Sequence, residues 1–231
     1  MATRFSLFFR LLFVIITAIS VFGCGHNTII PELKYIDSLV RCNNSAEASR
    51  RLSDIDTHSL DRENTVFYTL LLTLTKYKNY EEFQSDSAIN DVVIYYREHD
   101  NKVLLKRSLI AKGCAEEVIG NLDEAVESFH QAENISIKDD AENDAYVKLR
   151  LADLYQSQLM ASDSIAIQKY QEALRLYRII QDKHYQIVCL GEIGGLYSDM
   201  PSKSDSALFY IESAIQLAED TQDNYFVFAN H

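Results

Sequence analysis

Five short stretches of this chain share one pattern, and their spacing limits the possible folds more than any other feature. Asn44-Ser45-Ala46, Asp86-Ser87-Ala88, Asp163-Ser164-Ile165-Ala166 and Asp205-Ser206-Ala207 each place small hydrogen-bonding residues before an apolar helical run. Asp123-Glu124-Ala125 fills the gap between the second and the third. The alanines at 46, 88, 125, 166 and 207 are separated by 42, 37, 41 and 41 residues. Self-similarity at a period of this size marks stacked helical hairpins, because a single hairpin cannot bury its apolar face alone. The Ser and Asp residues read as N-caps, whose side-chain oxygens accept hydrogen bonds from the unpaired amides of a first turn. The alanine that follows is small enough for a second helix to pack closely.

The residues after each alanine keep helical spacing. Ala125 is followed by Phe129 and Ala132, Ala166 by Tyr170 and Ala173, and Ala207 by Ile211 and Ala214. These offsets lie on one face of a 3.6-residue helix. Another helical stretch precedes each of the three, over about 104–119, 146–158 and 187–198, with Gly113, Ala152 and Gly194 in a small slot. Tyr155 and Tyr197 follow three positions after the last two. The unit is therefore helix A, tight turn, helix B. The pattern predicts at least nine helices and no sheet, with turns near Gly120, Ser162 and Pro201. The expected core includes Leu109, Ala125, Phe129, Ala132, Ala152, Tyr155, Tyr170, Ala173, Tyr197, Ala207 and Ala214. Gly113→Leu is expected to destabilise by about 1–3 kcal/mol through overpacking.

The spacing of Gly113, Ala125, Phe129 and Ala132 resembles a tetratricopeptide repeat, and the neighbouring units resemble its long-period members. The match is good over about 104–220 and weaker over 31–100. The Trp usual early in helix A is absent, because the chain has none, and Leu109 stands in its place. The resemblance implies an all-α, right-handed α-solenoid of tetratricopeptide-like hairpins. It would occupy 31–231, with its clearest units at about 104–139, 143–180 and 184–220 and an incomplete unit from 225. The alternative is an irregular helical bundle in which the small residues are only core contacts.

The N-terminus points to the cell envelope. Residues 1–10 carry Arg4 and Arg10 and no acid, 11–22 are apolar apart from Thr17 and Ser20, and Gly23-Cys24 follows. A basic start, a short apolar stretch and a small residue make a secretory signal. The stretch is short of the roughly 20 residues that span a bilayer. Val21-Phe22-Gly23-Cys24 resembles a bacterial lipobox, with Phe22 bulkier than the usual occupant. That resemblance implies a lipoprotein signal peptide at 1–23, lipidation of Cys24 and a tether over 24–30. Pro31 then suits the first turn of the first helix. No acidic run follows Cys24, which favours a periplasm-facing protein, with the outer membrane preferred to the inner. The plan as a whole resembles tetratricopeptide sensor and scaffold lipoproteins of the Bacteroidetes type.

Composition narrows function by exclusion. Formal net charge is −12; removing residues 1–23 leaves 20 basic against 34 acidic residues, or −14. An acidic surface argues against nucleic acid as a partner, since phosphate binding needs clustered Lys and Arg. Cys42, Cys114 and Cys189 are an odd number and imply no disulfide framework; Cys114 and Cys189 fall in helix A and read as small buried hydrophobes. The six histidines are His26, His58, His99, His130, His184 and His231, and none pairs with another at metal-ligand spacing. His130, beside Phe129, reads as a surface residue. The Gly191-Glu192-Ile193-Gly194-Gly195 cluster sits within a helical pattern, so it reads as close helix packing rather than a phosphate loop. Adjacent acids such as Glu116-Glu117 and Asp139-Asp140 would point about 100° apart on a helix and make poor acid/base pairs. No catalytic constellation and no cofactor motif is expected, and the chain reads as a non-enzyme.

The leading expectation is a membrane-anchored periplasmic scaffold that binds a peptide or protein segment in a concave helical groove. Two alternatives stand beside it. One is the sensory, input portion of a signalling or transcription-regulating tetratricopeptide protein, truncated before its membrane helix and output domain. The other is a carbohydrate- or nutrient-binding helical lipoprotein. Under the tetratricopeptide resemblance, helix A lines the groove. Carrying its offsets over gives Arg107, Ile110, Cys114 and Glu117, then Tyr146, Leu149, Asp153 and Gln156, then Val188, Gly191, Gly195 and Ser198. Tyr146 with Asp153 is the favoured pair, an aromatic anchor beside a charge. Tyr225-Phe226-Val227-Phe228-Ala229 reads as the start of a further helix A, so self-association through the C-terminal end is also expected.

Overall fold

The computed structural model describes residues 29–157 and 163–221. The Cys24 site, the turn expected near Ser162 and the apolar run at 225–229 lie outside them. Among the described residues there are ten α-helices, two short 3-10 turns and no strand. The helices are α1 (Pro31–Arg41), α2 (Ser45–Ser53), α3 (Arg62–Lys78), α4 (Ser87–Glu98), α5 (Lys102–Ile119), α6 (Leu122–Glu133), α7 (Ala141–Ser157), α8 (Asp163–Ile179), α9 (Lys183–Ser198) and α10 (Ser204–Thr221). They form five successive hairpins, with α1, α3, α5, α7 and α9 as helices A. The weakly patterned N-terminal region is thus built of the same hairpins as the rest. None of the described helices is long and apolar enough to cross a membrane.

Local chemistry sets the helix ends. Pro31 opens α1, where a missing amide leaves no bond unmade. Asn44, Asp61, Asn101 and Asp182 cap α2, α3, α5 and α9 by accepting the amide three residues on, at 3.4, 2.9, 3.1 and 3.1 Å. Gly120 ends α5 at φ +85°, a left-handed turn that glycine takes without steric cost. The turn expected at Pro201 is the 3-10 segment Pro201–Lys203.

The recurring alanine motif has two different structural meanings. Ala125, Ala166 and Ala207 are buried at the hairpin contacts, whereas Ala46 and Ala88 are exposed. In those first two units the inward position falls one or two residues later, at Ala48 and Ile89. The capping expectation is corrected as well. Of the motif residues at described N-caps, Asn44 bonds a first-turn amide and Asp86 does not, while Asp123 and Asp205 lie inside the first turn. An acid in the first turn still favours the helix by facing the positive end of its dipole.

The interior consists of three apolar clusters, from Leu33 and Ile36 near the N-terminus to Ala214 and Ala218, with the partly buried Leu105 and Tyr155 packed between successive clusters. All the expected core residues are buried except Tyr155 and Tyr197, which are half-buried. The small slots are real. A Cβ at Gly113 would lie 2.9 Å from the Phe129 ring, and one at Gly194 would lie 2.6 Å from Ile211 Cγ1. Gly194 is therefore mid-helix packing, as expected, while a Cβ at Gly195 would meet nothing within 4 Å. Cys114 and Cys189 are buried free thiols and Cys42 is exposed. His130, expected at the surface, is half-buried, with Nε2 2.8 Å from Tyr155 Oη and Nδ1 3.3 Å from Glu133 Oε2.

Candidate functional site

Some side chains join hairpins that are not neighbours in sequence order. Arg107 on α5 is ion-paired with Asp37 on α1. The Arg150 guanidinium on α7 lies 5.9 Å from the ring centroid of Tyr77 on α3. Units two apart meet only on the side toward which a stack curves, so these contacts mark the inner face. There all five helices A contribute to one pocket. Its walls include Arg41 and Lys78 at the ends of α1 and α3, Arg107 and Ile110 on α5, Tyr146 on α7 and Tyr185 on α9. Tyr77 and Tyr177 add two more rings, and Tyr177 stacks on Tyr185 with centroids 4.8 Å apart.

The free space is about 120 Å³. Pockets for whole small molecules run to roughly 300–1,000 Å³. This one has room for a side-chain-sized group. Burial raises the Tyr77, Tyr146, Tyr177 and Tyr185 phenols above their ordinary range, so they stand as neutral donors and acceptors. Tyr146 Oη lies 3.7 Å from Cys114 Sγ. Burial also lifts the Cys114 thiol to about 11, which leaves it a neutral packing group rather than a nucleophile.

Beside the pocket runs a chain of polar side chains along the inner face. Arg150 pairs with Glu117 and, at 2.6 Å, with Asp153. Tyr170 Oη donates to Asp153 and shares a 2.6 Å bond with Gln156 Oε1, and Gln156 Nε2 donates to Glu192 at 3.2 Å. Burial pushes the Asp153 carboxyl up to about 6 against the pull of Arg150. Glu117 Oε2 and Arg150 Nε are buried without a hydrogen-bond partner among the described residues.

The residues expected in the groove therefore divide into three groups. Arg107, Ile110 and Tyr146 line the pocket. Glu117, Asp153 and Gln156 belong to the polar chain, so Asp153 is committed to Arg150 and Tyr170 rather than standing free beside Tyr146. The rest do not line the pocket: Leu149 and Cys114 are buried in the core, Val188 and Gly191 are half-buried, and Gly195 and Ser198 are exposed, Ser198 bonding back to Gly195 O at 2.6 Å. Sequence reasoning missed Arg41, Tyr77, Lys78, Arg150, Tyr177 and Tyr185. Tyr77 and Lys78 sit in the weakly patterned region, where no repeat offsets were available, and Tyr177 belongs to a helix B. Only Arg150, flanked by two expected groove residues, carried a readable signal.

No protein-family model matches the chain, and no curated protein sequence matches it significantly. Solved structures do match. A Rap protein complexed with competence and sporulation factor superposes with TM-score 0.62 at 16% identity, over 83% of this chain and 54% of that one. The apo form of RapI superposes with TM-score 0.64 at 14% identity, with the same coverages. A variant of the nearly identical TPR-like repeats of a Podosopora anserina kinesin light chain gives TM-score 0.56 at 15% identity, over 83% of this chain and 95% of that one. The fold is a tetratricopeptide-type solenoid. The chain spans about half the length of the two Rap structures.

Proposed function

We propose that this chain is a non-enzymatic interaction module that holds an extended peptide or protein segment along its inner face. The observation that carries the reading is the convergence of all five helices A on one pocket walled by four tyrosines. Rigid amphipathic rings of this kind supply much contact area for little conformational entropy. A Rap protein of similar fold was solved complexed with competence and sporulation factor. The proposal carries that use, formation of a complex with a separate factor, over to this chain. The polar chain through Arg150 then serves as a rigid floor beside the bound segment. In the same proposal the protein is lipid-anchored through Cys24 in the cell envelope and faces the periplasm, at the outer membrane rather than the inner.

Pull-down from a periplasmic extract tests the groove. The double variant Tyr146→Ala, Tyr185→Ala should lose the partner that the parent protein captures, with its helical circular dichroism retained. Capture of the same partner at the same level by the folded variant would remove the groove from consideration. Membrane fractionation tests the anchor. Cys24→Ser should release the protein or leave it unprocessed, and identical fractionation of the two forms would end the lipoprotein reading.

A further inference from the structure

The direct ion pairs around the pocket leave one of its cations without a partner among the described residues. Arg107 and Arg41 share a single carboxylate, Asp37, with Arg41 Nε 3.2 Å from Oδ2. Among the described residues Lys78 makes no ion pair; its ammonium donates to the side-chain oxygen of Asn43, a neutral group. Burial pulls the Lys78 ammonium below its usual range, and the nearby Arg107 charge adds to this, while the field of Glu142 opposes it. Of the two acids in the wall, Asp182 is engaged in capping α9, and Glu142 is exposed and reaches Lys78 only through its field. Arg41 and Arg107 thus share one carboxylate in direct contact, while Lys78 has only an amide oxygen and the more distant field of Glu142, in a chain whose net charge is −12. The same pocket holds a second unanswered group: Tyr177 Oη is buried and has no hydrogen-bond partner among the described residues.

Resting on the groove reading above, we infer that the pocket takes one carboxylate side chain, Asp or Glu, of the bound segment, held by the Lys78 ammonium and the Tyr177 hydroxyl. A desolvated ammonium bonded only to an amide gains strongly from an anion, and a buried phenol gains from an acceptor. The size fits, since a space of about 120 Å³ admits a carboxylate with its methylenes and little more. The charge fits too. Both arginines are already paired with Asp37, so Lys78 is the wall cation left without an ion-pair partner among the described residues, and one ammonium with one hydroxyl suits a single carboxylate better than the doubly charged phosphate group. The pocket lies around α5, the middle of the five helices A. A segment following the groove passes through this point, which makes a side chain rather than a chain terminus the occupant.

The experiment uses the purified protein and fluorescein-labelled, C-terminally amidated decapeptides on one common apolar and polar background. The central position is Glu, Gln, Lys or phosphoserine, and a further arm has central Gln with a free C-terminal carboxylate. Fluorescence polarisation should show the Glu peptides binding about tenfold or more tighter than the Gln peptides, the scale of one charge-assisted hydrogen bond. Lys78→Met should erase that preference, Lys78→Arg should keep most of it, and Lys78→Glu should transfer it to the Lys peptides. Tyr177→Phe should weaken Glu binding a few-fold while leaving Gln binding unchanged. Net charge alone predicts the reverse order, with Lys peptides preferred by the parent protein. Equal binding of Glu and Gln peptides, or a Glu preference that survives Lys78→Met, overturns the inference and leaves the groove reading intact. Tighter binding of the phosphoserine or free-carboxylate arm overturns the assignment to an acidic side chain. If no peptide of any arm binds, the groove reading falls and this inference falls with it.

Discussion

Two adjacent glycines on α9 face opposite constraints. At Gly194 an added methyl would press on Ile211 Cγ1 at 2.6 Å and on the Ile211 amide nitrogen at 3.2 Å, which is backbone and cannot turn aside. Gly194→Ala should therefore destabilise by about 1–3 kcal/mol, the cost of overpacking a filled contact. At Gly195 the methyl would meet nothing, so only the backbone entropy of glycine changes. Gly195→Ala should stabilise by about 0.5–1 kcal/mol. Urea unfolding of the two variants checks both signs at once. The same reasoning supports the cost expected for Gly113→Leu, because the first added carbon alone would sit 2.9 Å from the Phe129 ring. The two half-buried tyrosines of the expected core also follow from residue chemistry. Tyr155 keeps its hydroxyl at the edge to meet His130, and Tyr197 lies against Tyr210 with ring centroids 5.7 Å apart.

At the scale of helices, one carboxylate ties three of them together. Glu133 closes α6 and accepts from Lys148 on α7 at 2.9 Å and Lys169 on α8 at 2.7 Å, while Lys148 also reaches Glu172 at 2.8 Å. Burial by itself would raise the Glu133 carboxyl, but the two lysine hydrogen bonds outweigh it and hold the group at about 2, against an ordinary 4.5. A carboxyl held low in the folded state stabilises the protein above its unfolded value and loses that contribution as pH falls toward its folded value. Stability should accordingly decline between about pH 4.5 and about pH 2. Glu133→Gln should be less stable than the parent at pH 6, and the gap should narrow as pH drops through that window. Melting temperatures of both proteins at a series of pH values measure it. A constant gap would show that the lysine bonds do not hold the carboxyl low.

At the scale of the molecule, the array leaves one apolar face uncovered among the described residues. The outer sides of α6 and α8 pack against α7 and α9, the next helices A. On α10 the equivalent side exposes Leu208 at 56% and Phe209 at 63%, with Ile215 beside them. Apolar residues grouped in this way mark contact surfaces or aggregation liabilities. The double variant Leu208→Glu, Phe209→Glu should melt within a few degrees of the parent, since surface changes are usually worth less than about 0.5 kcal/mol. It should also scatter less light at high concentration. A large fall in melting temperature would mean that this face is covered in the folded protein.

The hairpins, their order and their approximate lengths were legible in the sequence because they rest on local physics. Residues four and seven apart share a helix face, a glycine or alanine marks where two helices touch, and an Asn or Asp caps the next start. The register of the first two units was not legible. Ala46 and Ala48 are both small and lie two positions apart, and only the partner helix decides which of them turns inward. The pocket was legible even less. Asp37 and Arg107 are 70 residues apart, and Tyr77 meets Arg150 across an intervening unit. Such contacts depend on the small rotation from each hairpin to the next, summed over the stack. No local pattern encodes that sum, so the sequence by itself determined the helical units, while the curvature of the assembled solenoid decided which residues face one another across the inner face.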